Sequence, residues 1–217
     1  MFPENLEPTE IRVIACLVEK EYSTPDNYPL SLNALTNACN QSSNRDPVMS
    51  LSEGTVSQAL DSLRRRGLVR SIQGIGSRVP KFQHLLNEFG FSRGELAALC
   101  VLMLRGPQTQ AEVRSRGSRL MPNDDATGLD AALDGLVMRE GGAVVARLER
   151  QPGQKEARYA HLLAGNVVES AAAAELTDAP EVPRADRLAA LEEEVGELKR
   201  VVEELRTQLA VFRRQFE

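Results

Sequence analysis

Three phrases of this chain occur twice, in the same order. Glu10–Lys20 reads EIRVIACLVEK, and Glu95–Arg105 reads ELAALCVLMLR, 85 positions on. ALDSL at Ala59–Leu63 returns as ALDGL at Ala132–Leu136, 73 positions on. KFQHLL at Lys81–Leu86 returns as RYAHLL at Arg158–Leu163, 77 positions on. Constant order with shifting offsets is what a duplicated domain with different insertions leaves behind. A chain of 217 residues holds two such bodies, of about 85 and 75 residues, plus an extension.

Each copy follows one grammar. In the first, Pro8-Thr9 opens a helix with Thr9 as the expected N-cap, and Ile11, Ile14, Leu17 and Val18 form its inner face. TPDNYP breaks that helix, PLS is a short extended piece, and Ser31 caps a second helix running to Cys39, with Leu32, Leu35 and Cys39 inward. Ser52 and Glu53 open a third helix, lined by Val56, Ala59, Leu60 and Leu63 and closed by Gly67. LVRSIQ and SRVPKFQH then read as two strands around the turn GIG, where Gly74 and Gly76 permit positive φ. The second copy repeats this. Ser92 opens a helix with Leu96, Leu99, Cys100 and Met103 inward, and Thr109 caps the next. Leu129, Ala132, Leu133 and Leu136 line the third helix, expected to end at Gly141-Gly142, and AVVARL and ARYAHL are its strands. Three helices followed by a hairpin is the winged-helix arrangement. The expected fold is therefore mainly α with small β wings: tandem winged-helix domains plus a C-terminal coiled-coil helix.

The only histidines, His84 and His161, sit in the repeated phrase, one per copy. A catalytic or metal role needs several convergent ligands. One histidine at the same place in each copy is explained by duplication, as a strand residue fixing the wing base by a hydrogen bond. Cys16, Cys39 and Cys100 are far apart, odd in number and without CxxC spacing, which fits buried thiols in a reducing cytoplasm. GxxxxGK[ST], GxSxG and HExxH are all absent from the sequence. The expectation is a non-enzymatic protein with no cofactor and no metal. The N-terminus MFPENLEPTE lacks a basic n-region and an apolar core, and the apolar run Leu96–Leu104 is about half a membrane span, so no signal peptide or membrane anchor is expected.

NYPLSLNALTNACNQSSNRDPVMSLSE, GIGSRVPKFQH, LRGPQTQAEVRSR and ARYAHLLAG resemble the bacterial YceH family, from about Leu6 to the C-terminus. The resemblance implies tandem winged-helix domains, in agreement with the repeat. It implies no established reaction and no catalytic residue.

The net charge of −5 lies entirely in the tail. Lys+Arg and Asp+Glu balance 9 to 9 in residues 1–86 and 10 to 10 in 87–165, but stand 7 to 12 in 166–217. A basic footprint on either domain must therefore be local. In the tail, Leu188, Val195, Val202, Leu209 and Phe216 fall at a, and Leu191, Leu198, Leu205 and Phe212 at d. That seam predicts a parallel dimer, with a helix folding back on its own domains as the alternative. In the dimer Arg187 would meet Glu192, and Glu194 would meet Lys199, each pair worth about 0–1 kcal/mol. The organisation expected is winged-helix domains at 1–87 and 88–165, a linker at 166–183 and a coiled-coil helix at 184–217.

A winged helix can place its third helix in a major groove and its wing on phosphate or in the minor groove. In the first copy the candidates are Ser52, Thr55, Gln58 and Arg65 on the helix, and Arg70, Arg78 and Lys81 on the wing, with Asn44 and Arg45 in the loop before. Asp61 and Glu53 count against phosphate. In the second copy Arg114, Arg116 and Arg119 lie on or just after the second helix, and Lys155 marks the wing tip beside Arg150. They form either a phosphate patch or a solvated face of mixed charge. The loop NQSSNRDP is longer than a compact helix-turn-helix allows, and reads as self-bonded or as a contact surface. The expected function is dimeric DNA binding of a regulatory kind, through the third helix and wing of domain 1. The alternative is a protein-interaction scaffold that binds no DNA.

Overall fold

The structure, a computed structural model, describes residues 5–73, 79–121, 128–150 and 156–165, and Arg200. The coiled-coil positions Leu188 to Phe216, the linker, the wing residues Arg78 and Lys155, and the turn Gly74-Gly76 lie outside the described residues. The chain divides into two units, Met1–Val168 and Glu169–Glu217. In the second unit, Arg200 is helical and exposed.

The first unit is mainly helical with two small antiparallel sheets. Its first half runs α1 (Pro8–Ser23), β1 (Leu30–Ser31), α2 (Leu32–Cys39), α3 (Glu53–Arg65), β2 (Val69–Ile72) and β3 (Lys81–His84). Its second half runs α4 (Arg93–Arg105), β4 (Gln108–Thr109), α5 (Gln110–Gly117), α6 (Gly128–Val137), β5 (Val145–Arg147) and β6 (Arg158–His161). Both sheets put the first strand beside the last: β1-β3-β2 and β4-β6-β5. Both registers are antiparallel, Leu30 facing Phe82 and Gln108 facing Tyr159.

Local chemistry sets most boundaries. Ser31, Ser52, Ser92 and Thr109 each accept a backbone N–H at the N-terminus of α2, α3, α4 and α5. Gly67 follows α3 at φ 71°, a backbone that glycine adopts without a Cβ clash. Two boundaries differ from the sequence expectation. Glu7, not Thr9, is the N-cap of α1, and its N–H donates to Glu10 Oε2 at 2.8 Å. Pro8 suits the first helical position, where its missing N–H costs nothing, and this moves the cap one residue before it. Helix α6 stops at Val137, short of Gly141-Gly142. Beyond it the Arg139 guanidinium donates to Phe89 O, stacks 3.9 Å from the Phe91 ring and lies 3.6 Å from Glu95.

The helices α1 and α4 are buried around most of their circumference. In α1 every residue from Glu10 to Glu19 is buried, and in α4 every residue from Leu96 to Leu104. The one-sided faces read from the sequence are the core of each half, and the remaining sides meet because α1 and α4 pack on each other. Buried side chains from both halves form one apolar cluster. Leu17 and Leu99 are fully buried within it, each stabilising by about 1.5–3 kcal/mol. Cys16, Cys39 and Cys100 are free thiols in this core, and Cys100 Sγ donates to Ala15 O at 3.4 Å. Among the described residues no helix is long and apolar enough to cross a membrane.

Candidate nucleic-acid interface

Helix α3 turns Val56, Ala59, Leu60 and Leu63 inward, which leaves Gly54, Gln58, Asp61, Arg64 and Arg65 exposed. Both carboxylates on this helix have partners. Glu53 Oε1 accepts from Asn33 Nδ2 at 3.1 Å, and Asp61 lies 3.4 Å from Arg64. Gln58 and Arg65 make no side-chain hydrogen bond or ion pair among the described residues. Ser52 is committed to the helix: its hydroxyl accepts the Thr55 N–H at 3.1 Å and shares a 2.8 Å bond with Thr55 Oγ1. Thr55 is half-buried.

The sheet adds two cations to this half. Arg70 pairs with Gln83 and Ile72 with Lys81, so Arg70 and Lys81 share the outer face of the sheet, while Val69 and His84 face the core. Arg70 and Lys81 are exposed and make no side-chain bond among the described residues. Asp61, Arg64, Arg65 and Arg70 line one open groove between the end of α3 and β2.

Arg45 does not join this face. It is 6% exposed and belongs to the interior. Its guanidinium donates to Glu19 Oε1 at 3.1 Å and Oε2 at 2.6 Å, to Ala38 O at 2.9 Å and to Gln41 Oε1 at 3.0 Å. Burial works against its charge, and the bonds to Glu19 more than offset that, so its pKa rises. Arg12, also buried, donates to Cys39 O at 3.1 Å and Pro47 O at 2.6 Å. Asn40 closes the loop base, accepting from Leu51 N at 2.7 Å and donating to Leu51 O at 2.8 Å. The loop NQSSNRDP is thus tied down by its own bonds, those of Arg45 among them, and by Arg12 beneath it. Its tip reaches the second half: Asp46 N–H donates to Leu104 O at 2.8 Å. Asn44, exposed at φ 59°, accepts from Arg105. Asparagine is among the few side chains that tolerate that backbone.

In the second half, Arg114 is bound by Asp130 across α5 and α6. Arg116 is half-buried and lies 3.5 Å from Glu112, and Arg119 is exposed with no such partner among the described residues. Arg105, which no sequence pattern singled out, lies close enough to Arg116 and Arg119 to feel both charges. Those residues are 11 and 14 positions apart, a spacing that carries no signal until α4 packs on α5.

The two histidines stay apart, one in each sheet. His84 Nδ1 accepts the Leu86 N–H at 3.2 Å, so Nε2 carries the proton and donates to Glu21 at 2.7 Å. The His84 backbone N–H donates to Tyr28 Oη at 2.8 Å. His161 has no such setting. Its Nδ1 is shielded without a partner, and burial pulls its pKa down to about 4. Among the described residues no three His, Cys, Asp or Glu side chains gather into a metal-binding group.

The class these features define is a mainly helical, internally repeated protein with exposed arginines on its third helix and first sheet and a buried arginine network beneath the loop between α2 and α3. The chain belongs to the family described as "Protein of unknown function, DUF480", whose model matches residues 6–154, and the YceH resemblance is consistent with this. The UPF0502 protein of Aeromonas hydrophila is 50% identical over 211 residues, covering 94% of this chain and 96% of the relative. That of Pelobacter propionicus is 49% identical over 219 residues, covering 98% of each. UPF0502 protein PBPRB0676 of Photobacterium profundum is 46% identical over 211 residues, covering 93% and 95%.

Proposed function

We propose that this chain is a cytoplasmic, dimeric DNA-binding protein of regulatory function, built from two winged-helix domains and a C-terminal coiled coil, with no catalytic activity of its own. The element order helix, strand, helix, helix, strand, strand supports the winged-helix reading, since each half repeats it with the same sheet order. The seam from Leu188 to Phe216 supports dimerisation. The observation that carries DNA binding is a set of three exposed cations, Arg65, Arg70 and Lys81, without side-chain partners among the described residues, on the half that also exposes Gln58. Arginine and lysine meet phosphate, and glutamine can pair with an adenine edge.

Fluorescence anisotropy on labelled duplex DNA at low and moderate salt tests this. Affinity falls steeply with salt, and the variant Arg65→Gln/Arg70→Gln/Lys81→Gln lowers the slope of log K against log salt by about 2.7, for three lost phosphate contacts. No binding at either salt removes the proposal. One observation favours a protein partner for the second half instead: Met138, just past α6, is 82% exposed. A reproducible partner captured after nuclease treatment, together with no DNA binding, would support the scaffold reading.

A further inference from the structure

The two halves present unlike third helices. Helix α3 exposes Gln58, Arg64 and Arg65, whereas α6, GLDAALDGLV, has no cation and exposes Gly128, Ala131 and Asp134. A phosphate approaching α6 would meet a carboxylate. Three cations of the second half lie away from α6. Arg105 ends α4, Arg116 lies in the last turn of α5, and Arg119 follows three residues on, in a short 3₁₀ turn. Because α4 packs on α5, Arg105 comes within range of the charges of Arg116 and Arg119. Burial, then the charges of Arg116 and Arg119, press the Arg105 pKa down. The carboxylates that offset them are Glu112, 3.5 Å from Arg116, and Asp46. Arg45, next along the loop, is already neutralised by Glu19.

The cluster has a built setting. The tip of loop 40–51 lies on it, with Asn44 accepting from Arg105 and the Asp46 N–H donating to Leu104 O. Gln108 Nε2 donates to Arg105 O at 3.2 Å. These donors satisfy carbonyls at the negative end of α4, which would otherwise repel an anion. The base of the same loop is the Asn40–Leu51 pair, one residue before Ser52, the N-cap of α3. A pinned loop therefore links the cluster to the start of α3.

We propose that Arg105, Arg116 and Arg119 form a second phosphate-binding surface, which holds the DNA backbone beyond the stretch met by α3. The second half then contributes to DNA binding through the end of α4 and through α5, not through its third helix. This rests on the DNA-binding reading above.

The test is the salt dependence of duplex binding by the full chain, measured by anisotropy. Arg105→Gln/Arg119→Gln removes two phosphate contacts, so the slope of log K against log salt falls by about 1.8. Arg119→Gln alone breaks no bond among the described residues and lowers it by about 0.9. Sequence preference stays unchanged in both, because phosphate carries no sequence information. The lysine versions, Arg105→Lys and Arg119→Lys, restore most of the slope. If wild type binds and the glutamine variants keep its slope, this inference falls and the α3 reading stands. If wild type binds no DNA, both fall. Should circular dichroism show the double variant unfolded, Arg119→Gln alone decides.

Discussion

Replacing Arg45 by methionine tests whether the buried pair with Glu19 holds the loop between α2 and α3. The Arg45 side chain is 0% exposed and that of Glu19 11%. The change removes two bonds to Glu19, two to Ala38 O, and one each to Gln41 and Asn44. Glu19 is left with Lys20 at 3.5 Å as its remaining cation. Removing one member of a buried pair costs about 3–5 kcal/mol, because the other charge stays desolvated. Lys20 recovers part of that, so about 3 kcal/mol is expected. For a folded body of this size that is a fall in Tm of roughly 6–12 °C. Urea unfolding followed by far-ultraviolet circular dichroism measures it, as a lower midpoint at unchanged slope. Glu19→Met/Arg45→Met removes both charges, and its loss should be smaller than that of Arg45→Met alone. Hydrogen exchange at the Asp46 amide, which caps Leu104, should quicken in the single variant. An Arg45→Met midpoint within about 1 kcal/mol of wild type, or a double variant as unstable as the sum of the singles, would refute this account.

Three further outcomes are expected. His161 titrates near 4 when folded and near 6.5 when unfolded, so the unfolded chain takes the proton first as pH falls. Its contribution to stability is full above pH 6.5 and declines toward pH 4, by about 1–2 kcal/mol between pH 7 and 5. Urea midpoints at the two pH values measure this, and His161→Gln should flatten the difference. Asn40→Ala leaves Leu51 N and O without their partner and should cost about 2 kcal/mol in the same assay. Leu198→Asp/Leu205→Asp puts charge in the tail seam, and sedimentation should show a monomer whose helical domains still unfold cooperatively.

What was legible in the sequence was chemistry confined to a few neighbouring residues. Ser31, Ser52, Ser92 and Thr109 could be assigned as caps because a cap needs only a hydroxyl and the next turn of backbone. The inner residues of α3 and α6 followed from helical spacing alone, since each helix buries one face. Arg45 was illegible for the opposite reason. In a loop rich in Ser, Asn and Asp it looks solvated, and its partner Glu19 is 26 residues away on another helix. The cluster at Arg105 depends likewise on how α4 meets α5. The all-round burial of α1 and α4 also belongs to packing between the halves, which a one-faced periodicity does not report.

The repeated histidine shows what duplication explains and what it leaves open. Aligning the first helices puts Glu21 over Gly106, and aligning the first strands puts Tyr28 over Gly106 as well. One glycine thus stands where the first half has two of its histidine's three partners, Glu21 and Tyr28. In the first half, Glu21 ties β3 to the end of α1 and Tyr28 ties it to the segment before β1, which holds the sheet that exposes Arg70 and Lys81. In the second, no such tie to β6 is found among the described residues, and Nδ1, which in the first half accepts the Leu86 N–H, is shielded there without a partner. A cation can select a phosphate only if the backbone beneath it is held, because a mobile side chain on a mobile strand loses in entropy what the contact supplies. The half with the anchored sheet is also the half whose third helix exposes cations, Arg64 and Arg65, where α6 has none, although both sheets carry exposed arginines, Arg70 in the first and Arg147 and Arg158 in the second. That coincidence is the physical reason to look for DNA on the first half's sheet and helix, and to expect a different role from the second half's third helix.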